Sequence, residues 1–185
     1  MDAGSLFLYL EPCPAGESGA VVAKRPRVAN TLGASPMPSQ FRHSRRVQFS
    51  ETDLAGIVHF ANFFRYMEEA EHAFYRSLGF SVHKMVGQEG DEPVGWPRVH
   101  ASADYRKPLK FEDEFVVELK VAALGAKTID YEFGFLGEGD ELLATGKFTV
   151  ICVRFDREQG RMRAVAIPDA IRAKIEVAPA GERAE

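Results

Sequence analysis

Cysteine is scarce in this sequence, which has only Cys13 and Cys152. The first lies in a loop-like tail and the second in an apolar run, so the two supply neither a disulfide framework nor the spacing of a metal site. Long apolar runs are missing as well. None approaches the roughly 18 residues of a transmembrane helix, and residues 6–10 are too few for a signal-peptide core. These absences predict a reduced, cytoplasmic protein without a membrane partner.

A basic excess is also missing, because 23 Lys and Arg stand against 27 Asp and Glu, with a formal net charge of −4. This balance argues against nucleic-acid binding. The sequence has no GxSxG elbow, no GxxxxGK[ST] phosphate loop and no GxGxxG after a strand, which disfavours serine hydrolases, nucleotide hydrolases and Rossmann enzymes. His83, His100 and Asp104 lack metal-ligand spacing, so neither a metal nor a cofactor is expected.

The length of 185 residues and the 45% hydrophobic content predict one folded domain. Residues 1–43 are rich in Ala, Gly, Ser and Pro and lack periodicity, so they are predicted to be a disordered leader. The domain is expected over residues 44–177, with a tail at 178–185. Either Met1 or Met37 could be the true start.

The strongest periodic pattern follows Asn62. Spacing of three and four residues predicts one long amphipathic helix, capped by Asn62 and ended by Gly79. Just before it, residues 45–51 alternate between apolar and polar types, which predicts a first short strand. The acidic residues of the helix are expected on a solvated face: Glu68, Glu69 and Glu71. The apolar positions that define the helix are Phe63, Phe64, Met67, Ala70, Phe74 and Leu78.

The rest of the chain predicts four strands at hairpin spacing, an added edge strand and a short closing helix that starts at Pro168. This spacing favours an antiparallel sheet over βαβ units. The fold class is therefore α+β, a single domain whose long central helix is wrapped by a five- or six-stranded antiparallel sheet. The predicted strands are residues 99–107, 114–121, 129–135, 148–155 and, at the edge, 161–167.

The turn before the helix contains the residues with most chemical potential. Asp53 lies in SETDLAG, where an aspartate commonly bonds its own backbone. A helix start lies close behind it, and free N–H groups there can stabilise an oxyanion. A carboxylate beside such donors suits direct attack on an acyl group or activation of water. His59, equally near, could bind a ligand or merely hydrogen-bond the loop.

Residues 49–66, FSETDLAGIVHFANFFRY, closely resemble the signature of the hotdog-fold 4-hydroxybenzoyl-CoA thioesterase family of acyl-CoA thioesterases. The likeness continues more weakly through residues 97–113 to about residue 175. It implies hydrolysis of an acyl-CoA thioester to free acid and CoA. It also implies a homodimer with a continuous sheet, often paired again into a homotetramer, with each active site between two subunits.

The resemblance also assigns roles to residues of the turn. Asp53 corresponds to the catalytic carboxylate, as nucleophile or general base, and the backbone amide of Phe60 to the donor that binds the thioester carbonyl. Gly56 lets the loop approach the substrate closely, with Ile57 beside it. His59 stands at a variable position and is expected to line the pocket, with an assisting role open.

The resemblance points to the CoA phosphates at a later turn, where Lys127 is the candidate and the neighbouring arginines of a known member are absent. This departure leaves a carrier-protein-bound thioester open as substrate. A non-catalytic acyl-thioester binding domain and the hydration of an enoyl thioester are further alternatives. The acyl group also stays open, because the following aromatic residues could line an aromatic pocket or be plain core: Phe63, Phe64, Tyr66 and Trp96.

Overall fold

The structure is a computed structural model that describes residues 39–82, 93–156 and 159–179. Its main sheet has five antiparallel strands, and one long helix, α1, follows the first strand in the chain. The strands are β1 (Gln40–Arg46), β2 (Arg98–Tyr105), β3 (Glu114–Leu124), β4 (Thr128–Leu136) and β5 (Leu142–Ile151), and α1 spans Asn62–Ser77. In space the order is β1-β3-β4-β5-β2, so β1 and β2 form the two edges. The predicted α+β architecture is confirmed.

The sheet folds around α1 because its strands alternate buried apolar and more exposed polar residues. In β3, Phe115, Val117 and Leu119 are buried, whereas Glu118 and Lys120 between them are not. The helix contacts β1, β2 and β3. All of its apolar positions except Phe64 and Leu78 are fully or almost fully buried, so the predicted helix face is confirmed.

One glycine of the sheet permits the close approach of the helix. A Cβ atom at Gly146 in β5 would overlap the sulfur of Met67 in α1, and it would also crowd the carbonyl oxygen of Ser102 in β2. Any side chain at Gly146 would therefore push α1 away from the middle of the sheet. At the far end, Gly79 has a φ of +86° and stops the helix as predicted.

A smaller unit follows β5, where β6 (Val153–Asp156) and β7 (Arg161–Ala164) form a separate two-stranded ribbon. The short helix α2 (Asp169–Arg172) closes the fold directly after Pro168. The strand predicted at residues 148–155 is in fact two, because the chain leaves β5 at Cys152 before β6 begins. The predicted edge strand pairs with β6 and not with the main sheet. No helix in the described ranges has both the length and the apolar character needed to cross a bilayer.

The first strand and the helix cap were predicted wrongly. The strand is Gln40–Arg46, and residues 49–51 instead form a 3-10 turn that a capping box between Gln48 and Glu51 closes. Asn62 is the first helical residue and makes no cap bond. Its side chain donates to the carbonyl oxygen of Glu51, at 2.7 Å.

The predicted domain limits also differ from the observed contacts. The boundary at residue 43 falls inside β1, whose residues 40–46 all pair with β3. Ala178, placed in the tail, donates its amide hydrogen to the carbonyl oxygen of Val121 at 2.9 Å. Most of the predicted leader, Met37 and Cys13 included, lies outside the described residues, as does His83.

Candidate active site

Asp53 lies in a loop that its own backbone closes. The Asp53 amide donates to the carbonyl of Ile57, and the Gly56 amide donates to the carbonyl of Asp53, both at 2.9 Å. Gly56 has a φ of +73°, a left-handed conformation that favours glycine at this corner. One carboxylate oxygen, Oδ1, accepts the amide of Ala55 at 2.8 Å. The turn role expected for this aspartate is confirmed, and it occupies only one of the two oxygens.

The second carboxylate oxygen of Asp53 has no hydrogen-bond partner among the described residues, and the side chain is exposed to solvent. A carboxylate fixed on one side and open on the other is oriented for reaction with a bound substrate. The predicted substrate-binding residues Gly56 and Ile57 belong to the same loop. An antiparallel bridge joins its two ends, Thr52 and Val58, and a second bridge joins Ile57 to Lys110.

The start of α1 leaves one amide unpaired. The Ala61 amide donates to Nδ1 of His59 at 3.3 Å, and the Asn62 amide to the carbonyl of His59 at 2.9 Å. The Phe63 amide donates to the carbonyl of Phe60 at 3.3 Å. Only the Phe60 amide, among these four, has no acceptor within the part of the chain that the structure describes. A free N–H at a helix N-terminus is the donor that an oxyanion requires.

The ring of His59 is exposed and lies against the ring of Phe60, with centroids 4.5 Å apart. Because Nδ1 accepts the Ala61 amide, the proton of the neutral imidazole is on Nε2. The outward nitrogen is therefore a hydrogen-bond donor. Asp53, His59 and Phe60 all lie between the 3-10 turn Phe49–Glu51 and α1, and the roles expected for them stay predictions.

Large apolar side chains surround this loop and remain open to solvent in a single chain. Phe60 is 61% exposed and Phe49 is 76% exposed. The ring of Phe49 packs edge-on against that of Phe111, with centroids 5.7 Å apart, and Leu54 at the loop tip is fully exposed. An exposed apolar surface of this kind is typical of a binding site that another group covers.

Lys127 lies elsewhere, at the turn between β3 and β4. Its Nζ atom donates to the carbonyl of Ala164 at 3.3 Å, and no hydrogen bond or ion pair joins it to the Asp53 loop within the described ranges. A second cation reaches the same turn from α2, because Arg172 donates to the carbonyl of Gly125 at 2.7 Å. The sequence did not reveal this neighbour, since the two residues are 47 positions apart.

A second acidic site lies in the interior, where the sequence predicted a solvated face. Glu71 is 2% exposed and forms an ion pair with Arg98 of β2. Burial raises the pKa of Glu71 to about 7, against the opposing effect of the Arg98 charge. The signal was present in the sequence, because Glu71 stands four residues after Met67 and three before Phe74, within the apolar stripe.

The aromatic residues predicted as either pocket or core belong mostly to the core. Phe63, Tyr66 and Trp96 are buried members of the main apolar cluster, and Phe64 packs against it half-buried. Ring contacts join Phe63 to Phe135 of β4. The aromatic surface beside Asp53 is instead built from Phe49, Phe60 and Phe111, which the sequence did not single out as pocket residues.

Comparison with known proteins agrees with this fold. Residues 47–175 match the family model described as Thioesterase-like superfamily. A solved structure of a hypothetical protein from Aquifex aeolicus is 33% identical, has a TM-score of 0.64 and covers 74% of this chain and 99% of its own. The structure of a gentisyl-coenzyme A thioesterase is 27% identical, with a TM-score of 0.62 and coverage of 73% and 99%. A 1,4-dihydroxy-2-naphthoyl-CoA hydrolase of Synechococcus elongatus is 29% identical, over 65% of this chain and 87% of that protein. The hotdog fold is confirmed.

Proposed function

The chain belongs to the thioesterase-like superfamily, and we propose that it hydrolyses an acyl-CoA thioester to a free acid and CoA. The observation that carries the proposal is the unpaired Phe60 amide at the start of α1, seven residues after Asp53, whose carboxylate keeps one oxygen open. Names of similar proteins, a gentisyl-coenzyme A thioesterase and a 1,4-dihydroxy-2-naphthoyl-CoA hydrolase, support the same reaction class. Membership of the narrower 4-hydroxybenzoyl-CoA thioesterase family stays a prediction.

In this mechanism the thioester carbonyl oxygen accepts a hydrogen bond from the Phe60 amide. Negative charge grows on that oxygen as the carbonyl carbon becomes tetrahedral, and the amide and the helix dipole stabilise it. Asp53 acts through its open oxygen by one of two routes. It attacks the carbonyl carbon and expels the CoA thiolate, leaving an anhydride that water hydrolyses, or it takes a proton from a water molecule that attacks directly.

His59 takes an assisting part in this proposal. Its Nε2–H group points away from the helix start, so it is available to donate a hydrogen bond to bound substrate. Such a bond would help to hold the thioester in place. Gly56 and Ile57 form the loop surface over which the substrate lies.

A second copy of the chain completes the site in this proposal. The exposed apolar groups around Asp53, above all Leu54 and Phe60, need a cover, and β2 has one unpaired edge because it pairs only with β5. Two copies joined through β2 would form one continuous sheet. A homodimer is the minimum assembly proposed, with a homotetramer as the alternative. A cytoplasmic location stays a prediction.

The proposed acyl group is aromatic, and the proposed carrier is CoA. The two named relatives act on hydroxylated aromatic thioesters by their names, and exposed rings of Phe49, Phe60 and Phe111 lie around the loop. For the carrier, Lys127 and Arg172 together place two cations at the β3–β4 turn, where the sequence alone offered one. Paired cations suit the phosphates of CoA. A carrier-protein thioester is the alternative.

The test is thiol release by the purified full chain with aromatic, short-chain and long-chain acyl-CoA thioesters. We expect release of free CoA thiol, fastest with an aromatic acyl group. Binding of acyl-CoA in a calorimeter without thiol release would instead identify a binding domain, and loss of an enoyl chromophore without thiol release would identify a hydratase. Faster turnover of an acyl carrier protein than of acyl-CoA would replace CoA as the substrate carrier.

A further inference from the structure

We propose that Glu51 is a positioning residue for this reaction. Its side-chain carboxylate and its backbone carbonyl both accept hydrogen bonds, and together these bonds hold the Phe60 amide in place. The inference rests on the proposed function, and it concerns a residue that does not touch substrate. Glu51 precedes Asp53 by two positions in the SETD run, and it ends the 3-10 turn Phe49–Glu51.

The carboxylate of Glu51 is fixed from three directions. Arg45 of β1 forms an ion pair with it, and the hydroxyl of Tyr66 in α1 donates to Oε2 at 2.9 Å. The amide of Gln48 donates to the same oxygen at 2.7 Å. The side chain is only 14% exposed. Because β1, the 3-10 turn and α1 all bind this group, it cannot move without disturbing all three.

The carbonyl of Glu51 binds the segment that contains the proposed oxyanion donor. It accepts the amide of His59 at 2.9 Å and the side-chain amide of Asn62 at 2.7 Å. These two residues flank Phe60 and Ala61, so the peptide groups between them are held at both ends. The one amide of this segment that no described acceptor occupies is that of Phe60. Glu51 thus ties the sheet and the helix to the ends of the donor segment.

The surroundings of Glu51 are suited to a fixed negative charge. The guanidinium of Arg45 lies over the ring of Tyr66, 4.4 Å from its centroid, and also pairs with Glu69. Burial, and next the bond to Glu51, raise the pKa of Tyr66, so its hydroxyl stays a hydrogen-bond donor. A catalytic group misplaced by about 1 Å can cost about a hundredfold in rate. Small shifts of this segment should therefore reduce turnover measurably.

Glu51→Gln tests the proposal, because it keeps the size of the side chain and removes the charge that Arg45 binds. We expect kcat for the best acyl-CoA substrate to fall about tenfold or more with KM within about threefold, since an oxyanion donor acts mainly in the transition state. Glu114→Gln is the control. It removes the charge from an exposed ion pair with Arg46, the neighbour of Arg45 in β1, and it should leave kcat unchanged.

A second readout separates positioning from a merely structural role. In protein labelled with 15N-phenylalanine, the Phe60 amide resonance, assigned with Phe60→Leu, should shift in Glu51→Gln and stay in place in Glu114→Gln. Wild-type kcat in Glu51→Gln, or an unmoved Phe60 resonance, would overturn the proposal. Absence of thioesterase activity in the wild type would instead refute the proposed function, and the resonance would still test whether Glu51 sets the Phe60 amide.

Discussion

Asp53 and Glu71 are two carboxyl groups near one helix, the first exposed in the loop before it and the second buried within it. Asp53 is exposed in the loop before α1, and a backbone amide of its own loop fixes one of its oxygens. Glu71 lies nine residues into α1, about 14 Å along the helix axis, where it is buried and paired with Arg98 of the sheet. The first is the carboxylate proposed to react, and the second is held by the packing of the core.

The raised pKa of Glu71 follows from its place in the core, so it does not by itself mark Glu71 as a reactive group. The pKa of Glu71 is raised because burial disfavours its charge, and Arg98 and Glu68 act on it in opposite directions. Strongly shifted groups are frequent at active sites, but buried ion pairs shift as well. For Asp53, the arguments are geometric: its open carboxylate oxygen, and the unpaired Phe60 amide that follows seven residues later at the start of α1.

Replacement of Asp53 should have the largest effect on rate. Asp53→Asn is expected to lower kcat at least about a hundredfold, because the variant loses its nucleophile or base. The melting temperature should change little, since the amide oxygen can still accept the Ala55 amide. Thiol release and thermal unfolding measure the two properties. Asp113→Asn is the matched control, because Asp113 also accepts a backbone amide, that of Lys110, at 2.7 Å. Full turnover by Asp53→Asn would refute the assignment.

Replacement of Glu71 should change stability and leave turnover alone. Between pH 4.5, the unperturbed pKa, and about 7, the folded protein holds a proton that the unfolded chain has released. The contribution of Glu71 to stability therefore falls as the pH rises through this window, by up to about 3 kcal/mol. Glu71→Gln should thus gain stability relative to wild type between pH 5 and pH 8, measured by urea unfolding, with kcat unchanged.

The difference in unfolding free energy between the wild type and Glu71→Gln separates the effect of Glu71 from that of other titrating groups. Burial lowers the pKa of His43 and of His72, so their contributions rise with pH, but both proteins contain them. A difference in unfolding free energy that stays constant from pH 5 to pH 8 would show that Glu71 does not titrate in this window. A large fall in kcat for Glu71→Gln would show that this buried group takes part in the reaction. It would contradict the distinction drawn between Asp53 and Glu71.

The smallest expected effect concerns a buried pair of tyrosine hydroxyls in the core. The hydroxyls of Tyr75 and Tyr131 are 2.7 Å apart, and both residues are fully buried. Tyr131→Phe removes one of them and should cost about 1 kcal/mol of unfolding free energy. Because this pair is in the core and not in the loop of Asp53, thiol release should stay at the wild-type rate. A reduced rate with unchanged stability would place the pair in the active site.

Much of the fold was predictable because burial leaves a period in the sequence. β3 buries every second residue from Phe115 to Val121, and β4 does so from Ile129 to Phe133. α1 repeats its apolar residues at intervals of three and four positions. The correct position of β1 was not predicted because its sequence, QFRHSRR, is mostly polar, as an edge strand can be. Phe49 looked like a strand residue, although its ring is exposed on the surface.

The candidate site could be proposed from its residue types but its contacts could not. The motif points to Asp53 and the Phe60 amide, because both belong to one continuous run, and their roles stay predictions. The contacts of Glu51 with Arg45 and Tyr66 join three elements, and no local sequence pattern predicts them. The same holds for Arg172 at the β3–β4 turn. Asn62 was read as a cap from its type, but its side chain satisfies the carbonyl of Glu51 instead.

The central claim is that the thioester carbonyl binds at the Phe60 amide, facing Asp53. A crystal structure of the protein with an acyl-CoA analogue, in which a CH2 group replaces the thioester sulfur, tests it most directly. The account predicts that the ketone oxygen lies within about 3.2 Å of the Phe60 nitrogen. The open oxygen of Asp53 then lies about 3.5 Å from the carbonyl carbon if it attacks directly, or one water molecule away if it acts as a base. A ketone bound elsewhere, with the Phe60 amide left unpaired, would contradict it.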